Sequence, residues 1–240
     1  MAPHKPTLTT KQQIALKRAE LDTCFDSFSS VKRTNNLNWL RRQIAFEEPQ
    51  MLCPVSKANL DETSMSNIAT TYDYIMENKA LEINIEDIRI IHAKLCSNTN
   101  IDGYNFRTTN CKLRMSIDGM TYNAPDYSVI DYELRQIIYR MNHSTRDILT
   151  RAYDVHYEII MLQPFDDFNK RTARMIMNWL LLQNGYRPIA FNKRSDKSAY
   201  IQALQSRANG DKRAYTEYMA QCQLRTQEQI LKHLRDSKIY

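Results

Sequence analysis

Leu162-Gln163-Pro164-Phe165-Asp166-Asp167-Phe168-Asn169-Lys170-Arg171-Thr172-Ala173-Arg174 decides the reading of this chain. The runs on either side, 149–161 and 175–182, are rich in Leu, Ile and Met and contain neither Gly nor Pro. Both read as buried helices. Pro164 closes the first, because a residue before proline is pushed out of the α region. Gly185 stops the second as a left-handed C-terminal residue. The expectation is two adjacent buried helices, 149–162 and 170–184, joined by a short polar loop. The first turn of the second helix offers unpaired N–H groups and the positive end of a dipole, which suits an anion. Arg171 and Arg174 lie three apart and share a face. Arg suits bidentate phosphate contact. Asp167 could hold a divalent metal beside those phosphates. The alternative is an Asp-Asn helix start with two solvated arginines, and spacing alone leaves both open.

The segment resembles the Fic family motif, His-Pro-Phe-x-(Asp/Glu)-Gly-Asn-Gly-Arg-x-x-Arg. Pro164, Phe165, Asp167, Asn169, Arg171 and Arg174 match it in register. Gly185-Tyr186-Arg187-Pro188 is similar to the family's Gly-Tyr-Pro-Pro. Ser198 to Leu204 is similar to its Tyr-x-x-Ala-Leu helix, and Gly103-Tyr104-Asn105-Phe106-Arg107 to the Gly-x-x-Arg ahead of its flap hairpin. The resemblance covers roughly residues 60 to 222. It implies a mainly α Fic-like helical bundle with a small β-hairpin flap. It also implies transfer of AMP from ATP, or another nucleotide, to a protein Ser, Thr or Tyr hydroxyl. Asp167 would hold Mg²⁺. Phe168, Asn169, Lys170, Arg171 and Arg174 would hold the nucleotide's phosphates. The flap would dock an extended target segment along Met115, Ser116, Ile117, Thr121 and Tyr122.

Three motif positions depart. Gln163 stands where the family has its catalytic histidine, and a carboxamide has no nitrogen that titrates near neutral pH. Loss of a general base is worth roughly 10²–10⁴-fold in rate. His156 lies two turns earlier, roughly 10 Å away by helix rise, and reads as structural. Phe168 replaces a glycine that lets phosphate approach the backbone. Lys170 replaces the second glycine, and Asn169-Lys170-Arg171-Thr172 resembles the Doc toxin branch, which transfers phosphate. The chain therefore reads either as a transferase of AMP or phosphate weakened at Gln163, or as a catalytically dead Fic-like module that binds a nucleotide or a protein.

The chain has 240 residues, 42% of them hydrophobic, which allows a sizeable core. Four glycines argue against a turn-rich β fold. A net charge of +6, with charges scattered, permits an acidic partner. It gives no basic run to favour nucleic acid over a nucleotide. Five cysteines without framework spacing read as reduced thiols without structural zinc. The first residues lack an apolar core, so no signal peptide is read, and no stretch is apolar enough to span a bilayer. The expected place is the cytoplasm, or a host cytosol into which the protein is delivered. A target protein is the implied partner, and a homo-oligomer stays open.

Along the chain, 1–58 reads as an N-terminal helical extension, 59–222 as the Fic-like domain and 223–240 as a polar, solvated or partner-facing helix. Helices are expected from Thr10, over about 38–47, over about 59–78 with a Met65, Ile68, Tyr72, Ile75 stripe, and after Asn84. His92 reads as a core or boundary histidine. Residues 97–128 are the long non-helical region. There Lys112 to Ile117 and Met120 to Tyr122 read as strands around Asp118-Gly119. Further helices are expected over about 126–141, 196–208 and 212–235. The inhibitory Ser/Thr-x-x-x-Glu-Gly/Asn pattern of the family is not found.

Overall fold

A computed structural model describes residues 8–39, 62–114, 121–191 and 194–236, without the side chains of 114 and 194–196. The described elements are α1 (Thr10–Asp26), α2 (30–39), α3 (Glu62–Asn78), α4 (Ile85–Leu95), β1 (Lys112–Arg114), β2 (Thr121–Asn123), α5 (Ile130–His143), α6 (Ile148–Leu162), α7 (Asn169–Gln183), α8 (Arg194–Ala208) and α9 (Lys212–Asp236). The fold is mainly α with one two-stranded sheet, as expected. Local chemistry sets several boundaries. Thr9 and Gln12 form a capping box at α1, and Asn84 and Asp87 form one at α4. Gly185 sits at φ +74°, with Gly185 N–H donating to Leu182 O and Tyr186 N–H to Leu181 O, the Schellman closure of α7.

The antiparallel pair α6 and α7 lies at the centre. Ala152, Val155, Ile159 and Ile160 of α6, with Ala173, Ile176, Met177, Trp179 and Leu180 of α7, are all buried in the main core. Most faces of these helices meet apolar neighbours, which is why both runs are so rich in apolar residues, while Asp154 and Glu158 of α6 turn to cationic partners. α5 packs on α6, while α3 and α4 pack on α7. A second cluster joins Leu21, Phe25 and Phe28 to Tyr72 of α3 and to Ile230, Leu231 and Leu234 of α9.

Two readings need correction. The second helix does not begin near 38. It begins at 30, after Ser29, whose hydroxyl accepts from Lys32 N–H. Ser and Thr in 27–34 had masked it, although Ser29 is a cap. The expectation over 40–47 lies outside the described residues. The C-terminal run is not a separate solvated helix either. It is the second half of α9, so a boundary at 222/223 falls inside one helix. Its Gln223, Thr226, Gln227, Ile230, Leu231 and Leu234 form a buried stripe, and α9 packs along α1. Two of the polar residues on that stripe are held by hydrogen bonds to the 187–190 segment. Gln223 Nε2 donates to Arg187 O (2.6 Å), and Thr226 Oγ1 accepts from Ala190 N–H (3.1 Å).

The hairpin occurs where expected, with Lys112 opposite Asn123, Leu113 opposite Tyr122 and Arg114 opposite Thr121. Its described strands are three residues each. Thr121 and Tyr122 lie on β2. Met115, Ser116, Ile117 and the Asp118-Gly119 turn lie outside the described residues. No described helix is long and apolar enough to cross a membrane.

Candidate active site

α6 ends at Leu162, and Gln163 turns the chain with a left-handed backbone, φ 49°. The following loop folds back on itself through one side chain. Asn169 Oδ1 accepts from Phe165 N–H (2.9 Å), and its Nδ2 donates to Phe165 O (2.8 Å). The carboxamide thus pairs with Phe165 as a second backbone would. It also fixes Gln163, whose Oε1 accepts from Asn169 Nδ2 (3.2 Å) while its Nε2 donates to Ile160 O (2.6 Å). Both ends of the Gln163 carboxamide are therefore engaged inside the protein.

Phe165, 1% exposed, anchors the loop. Its ring stacks on His92 at 3.6 Å and 3°, and Phe106 tilts against it at 5.4 Å. His92 is itself placed by two carbonyls: Nδ1 lies 2.6 Å from Gly103 O and Nε2 3.1 Å from Asp167 O. Burial pushes its pKa down, and the two carbonyls work against that shift. The core histidine of the sequence reading is thus also a strut under the motif loop. Gly103 permits the contact, since a Cβ there would lie 2.8 Å from Ala93 Cα.

α7 opens at Asn169, with Phe168 as its N-cap, and the Phe168 side chain makes no capping bond. Phe168 holds φ 55° and ψ 8°, a left-handed conformation that suits the glycine of the motif it resembles. Its ring faces the Arg171 guanidinium at 4.3 Å. The first intrahelical bond runs from Thr172 N–H to Phe168 O. The amides of Asn169, Lys170 and Arg171 lie in the first turn, ahead of that bond. Asp166 and Asp167 are exposed beside it, and Asp167 Oδ1 accepts from Phe168 N–H (2.6 Å). One exposed carboxylate next to a cationic first turn fits a magnesium ion carried by a nucleotide, which needs only one or two protein carboxylates. Lys170 is half-buried. Burial lowers its pKa, Lys197 on α8 adds to that, and Asp167 opposes it.

Arg174 lies one turn deeper than Arg171 and is 1% exposed. Its Nη1 donates to Tyr200 Oη (3.4 Å), and its guanidinium lies against the rings of Phe191 and Tyr200. The hydrogen bonds continue inward. Tyr215 O–H donates to Tyr153 O (3.0 Å), so its oxygen accepts from His156 Nδ1–H (2.6 Å). His156 Nε2 then accepts from Tyr200 O–H (2.9 Å). This order fixes one neutral tautomer, and burial holds the His156 pKa at about 3. His156 is structural, as its position on the sequence implied.

The structure brings Gln163, Asp167, Phe168, Asn169, Lys170 and Arg171 to one loop and helix start, with Arg174 below them. Sequence reasoning missed three participants: the His92 strut, the Lys197 neighbour, and Tyr200 as the partner of Arg174. Tyr200 sits in the quoted Ser198–Leu204 match, and that was its only signal.

A helical bundle centred on such a loop, with a small two-stranded hairpin, is the Fic helical fold. Residues 82–181 match the model of the Fic/DOC family, which supports a Fic domain over that part of the chain. Protein adenylyltransferase Fic of Drosophila persimilis is 27% identical over 218 residues, 88% of this chain. The Drosophila melanogaster protein of the same name is 26% identical over the same share. The chain spans less than half of these relatives' length, 42% and 43% respectively. Among solved structures, a Fic domain containing signaling protein from Bacteroides thetaiotaomicron superposes with a TM-score of 0.76, at 13% identity, over 95% of this chain and 97% of that one. Fic-1 from C. elegans gives 0.70 at 20% identity, over 95% and 72%.

Proposed function

We propose that the loop and first turn of α7 bind a magnesium nucleoside triphosphate, and that the chain transfers AMP, or phosphate, to a protein hydroxyl only feebly. Asp167 would hold the ion, which neutralises phosphate charge. The first-turn amides, Lys170 and Arg171 would take the phosphates, with Arg174 contributing field from below. The naming of the Drosophila relatives as adenylyltransferases supports the AMP reading at family level. The observation that carries the feeble rate is the Gln163 carboxamide. It is bonded at both ends to Ile160 and Asn169 and has no basic nitrogen. A target hydroxyl attacking the α-phosphorus, with pyrophosphate leaving, would release its proton to a phosphate oxygen or to water. The histidines nearest the loop in this fold offer no substitute: His92 nitrogens face carbonyls and His156 is sealed between tyrosines. The same observation favours a second reading, a nucleotide- or protein-binding module without transfer.

The test is label transfer from ATP in a cell lysate, with α- and γ-labels compared. Gln163→His should raise the rate, because its Nδ1–H can keep the bond to Ile160 O and leave Nε2 as the base. The gain should remain below the roughly 10²–10⁴-fold of a full general base. The combined Gln163→His, Phe168→Gly, Lys170→Gly change should exceed the single one by about an order of magnitude, non-additively. Robust α-label transfer by the unaltered chain would overturn the feeble-rate reading. A dominant γ-label would assign phosphate transfer.

A further inference from the structure

Arg107 is 3% exposed, and its side chain meets four carbonyl oxygens. Its Nε donates to Gln163 O (2.7 Å), Nη1 to Thr109 O (2.7 Å), and Nη2 to Pro125 O (2.6 Å) and Leu162 O (3.4 Å). Its backbone N–H donates to Pro164 O (3.0 Å). Thr109 and Pro125 stand at the two feet of the flap hairpin. Leu162, Gln163 and Pro164 are the turn from α6 into the motif loop. One guanidinium thus spends four of its five donors joining both feet of the flap to the backbone of position 163. The Leu162 and Gln163 carbonyls lie at the negative end of the α6 dipole, which favours a cation there. Away from its feet the flap is also held by Leu113, buried in the main core, and by the bond between Tyr122 Oη and Asn209 Oδ1 (3.2 Å).

We propose that Arg107 is a positioning residue, a clip that makes the flap hairpin and the motif loop one mechanical unit. A target segment lying on the flap would then be held at a fixed offset from residue 163 and from the phosphate loop. That consequence rests on the function proposed above; the coupling itself does not. The fork geometry is what allows it. A lysine ammonium is a single point with three donors and cannot reach carbonyls on both sides of the clip.

The test is amide hydrogen exchange on the full chain and on Arg107→Lys. The flap amides (112–114 and 121–124) and the motif-loop amides (163 and 165–168) should both exchange at least about tenfold faster in the variant, while the interior of α3 stays within about twofold. Faster exchange across the whole chain would reduce Arg107 to general stability. Faster exchange in the flap alone, or in neither set, would break the coupling; each of these results overturns the proposal. Should Arg107→Lys not fold, exchange of the unaltered chain in rising guanidinium chloride decides the matter. The two sets should open together with one denaturant dependence, and separate openings overturn the clip. Calorimetry with Mg·ATP is scored separately: absence of binding removes the proposed function and leaves the clip standing, and separate openings do the reverse.

Discussion

Asn169 gives the sharpest quantitative consequence of the loop geometry. Asn169→Ala removes the acceptor for Phe165 N–H and the donor to Phe165 O and Gln163 Oε1. Phe165 is 1% exposed, so water cannot readily replace either bond to its backbone. Two buried polar groups left without partners cost about 1–3 kcal/mol each, and partial relaxation of the loop brings the sum to about 2–4 kcal/mol. A chain of this length shifts its midpoint by roughly 2–4 °C per kcal/mol, so the expected fall in Tm is roughly 6–12 °C for the middle of that range. Thermal melting followed by circular dichroism measures the shift, and urea unfolding gives the free energy, with an unchanged slope on denaturant showing that compactness is preserved. Asn169→Gln carries the same groups one methylene further out and should not rescue. A loss below about 1 kcal/mol for Asn169→Ala would refute the account of the loop as closed by this carboxamide.

Two further outcomes follow from buried or strained groups. His156 has its folded pKa depressed to about 3 by burial, below the ordinary value of 6.5. Its neutral form therefore contributes stability that is present above pH 6.5 and is lost as pH falls toward 3. Between pH 6.5 and 4.5 that loss is about 2 kcal/mol, and denaturant unfolding of His156→Asn should show a curve flatter by that amount; equal slopes would contradict it. Gly185→Ala should destabilise by about 1–2 kcal/mol, because a Cβ at positive φ is disfavoured. It would also lie 2.6 Å from Arg18 Nη2, a flexible end that can give way. A neutral result in the same assay would show that α7 tolerates another ending.

Much of this was legible in the chain. Continuous apolar runs announced α6 and α7 because both are surrounded by core, and Pro164 and Gly185 punctuated them through backbone sterics that act locally. The Asx and Thr caps were readable for the same reason. The flap hairpin was announced by an Asp-Gly pair between alternating runs, but its register was not: a two-residue turn there would set Arg114 opposite Asn123, and the structure sets it opposite Thr121. What sequence could not reveal was long-range pairing. Arg107 meets carbonyls 56 residues away, and His92 meets one 75 residues away, with no periodicity to announce either. The burial of Gln223 and Gln227 was hidden because composition reads a polar helix as solvated, whereas α9 lays these residues on its core-facing stripe. Within the site, spacing placed Arg171 and Arg174 on one face but could not foresee that one turn of depth would half-expose the first and seal the second.

The central claim is that the start of α7 is a phosphate site that survives the loss of the base. Calorimetric titration of the folded chain with Mg·ATP tests it most directly, with Arg171→Ala as the comparison. A bidentate contact from a charged donor is worth about 1.5–3 kcal/mol, so saturable binding should weaken by roughly 10–100-fold in the variant. No heat of binding at millimolar Mg·ATP, or equal affinity in the two proteins, would contradict it.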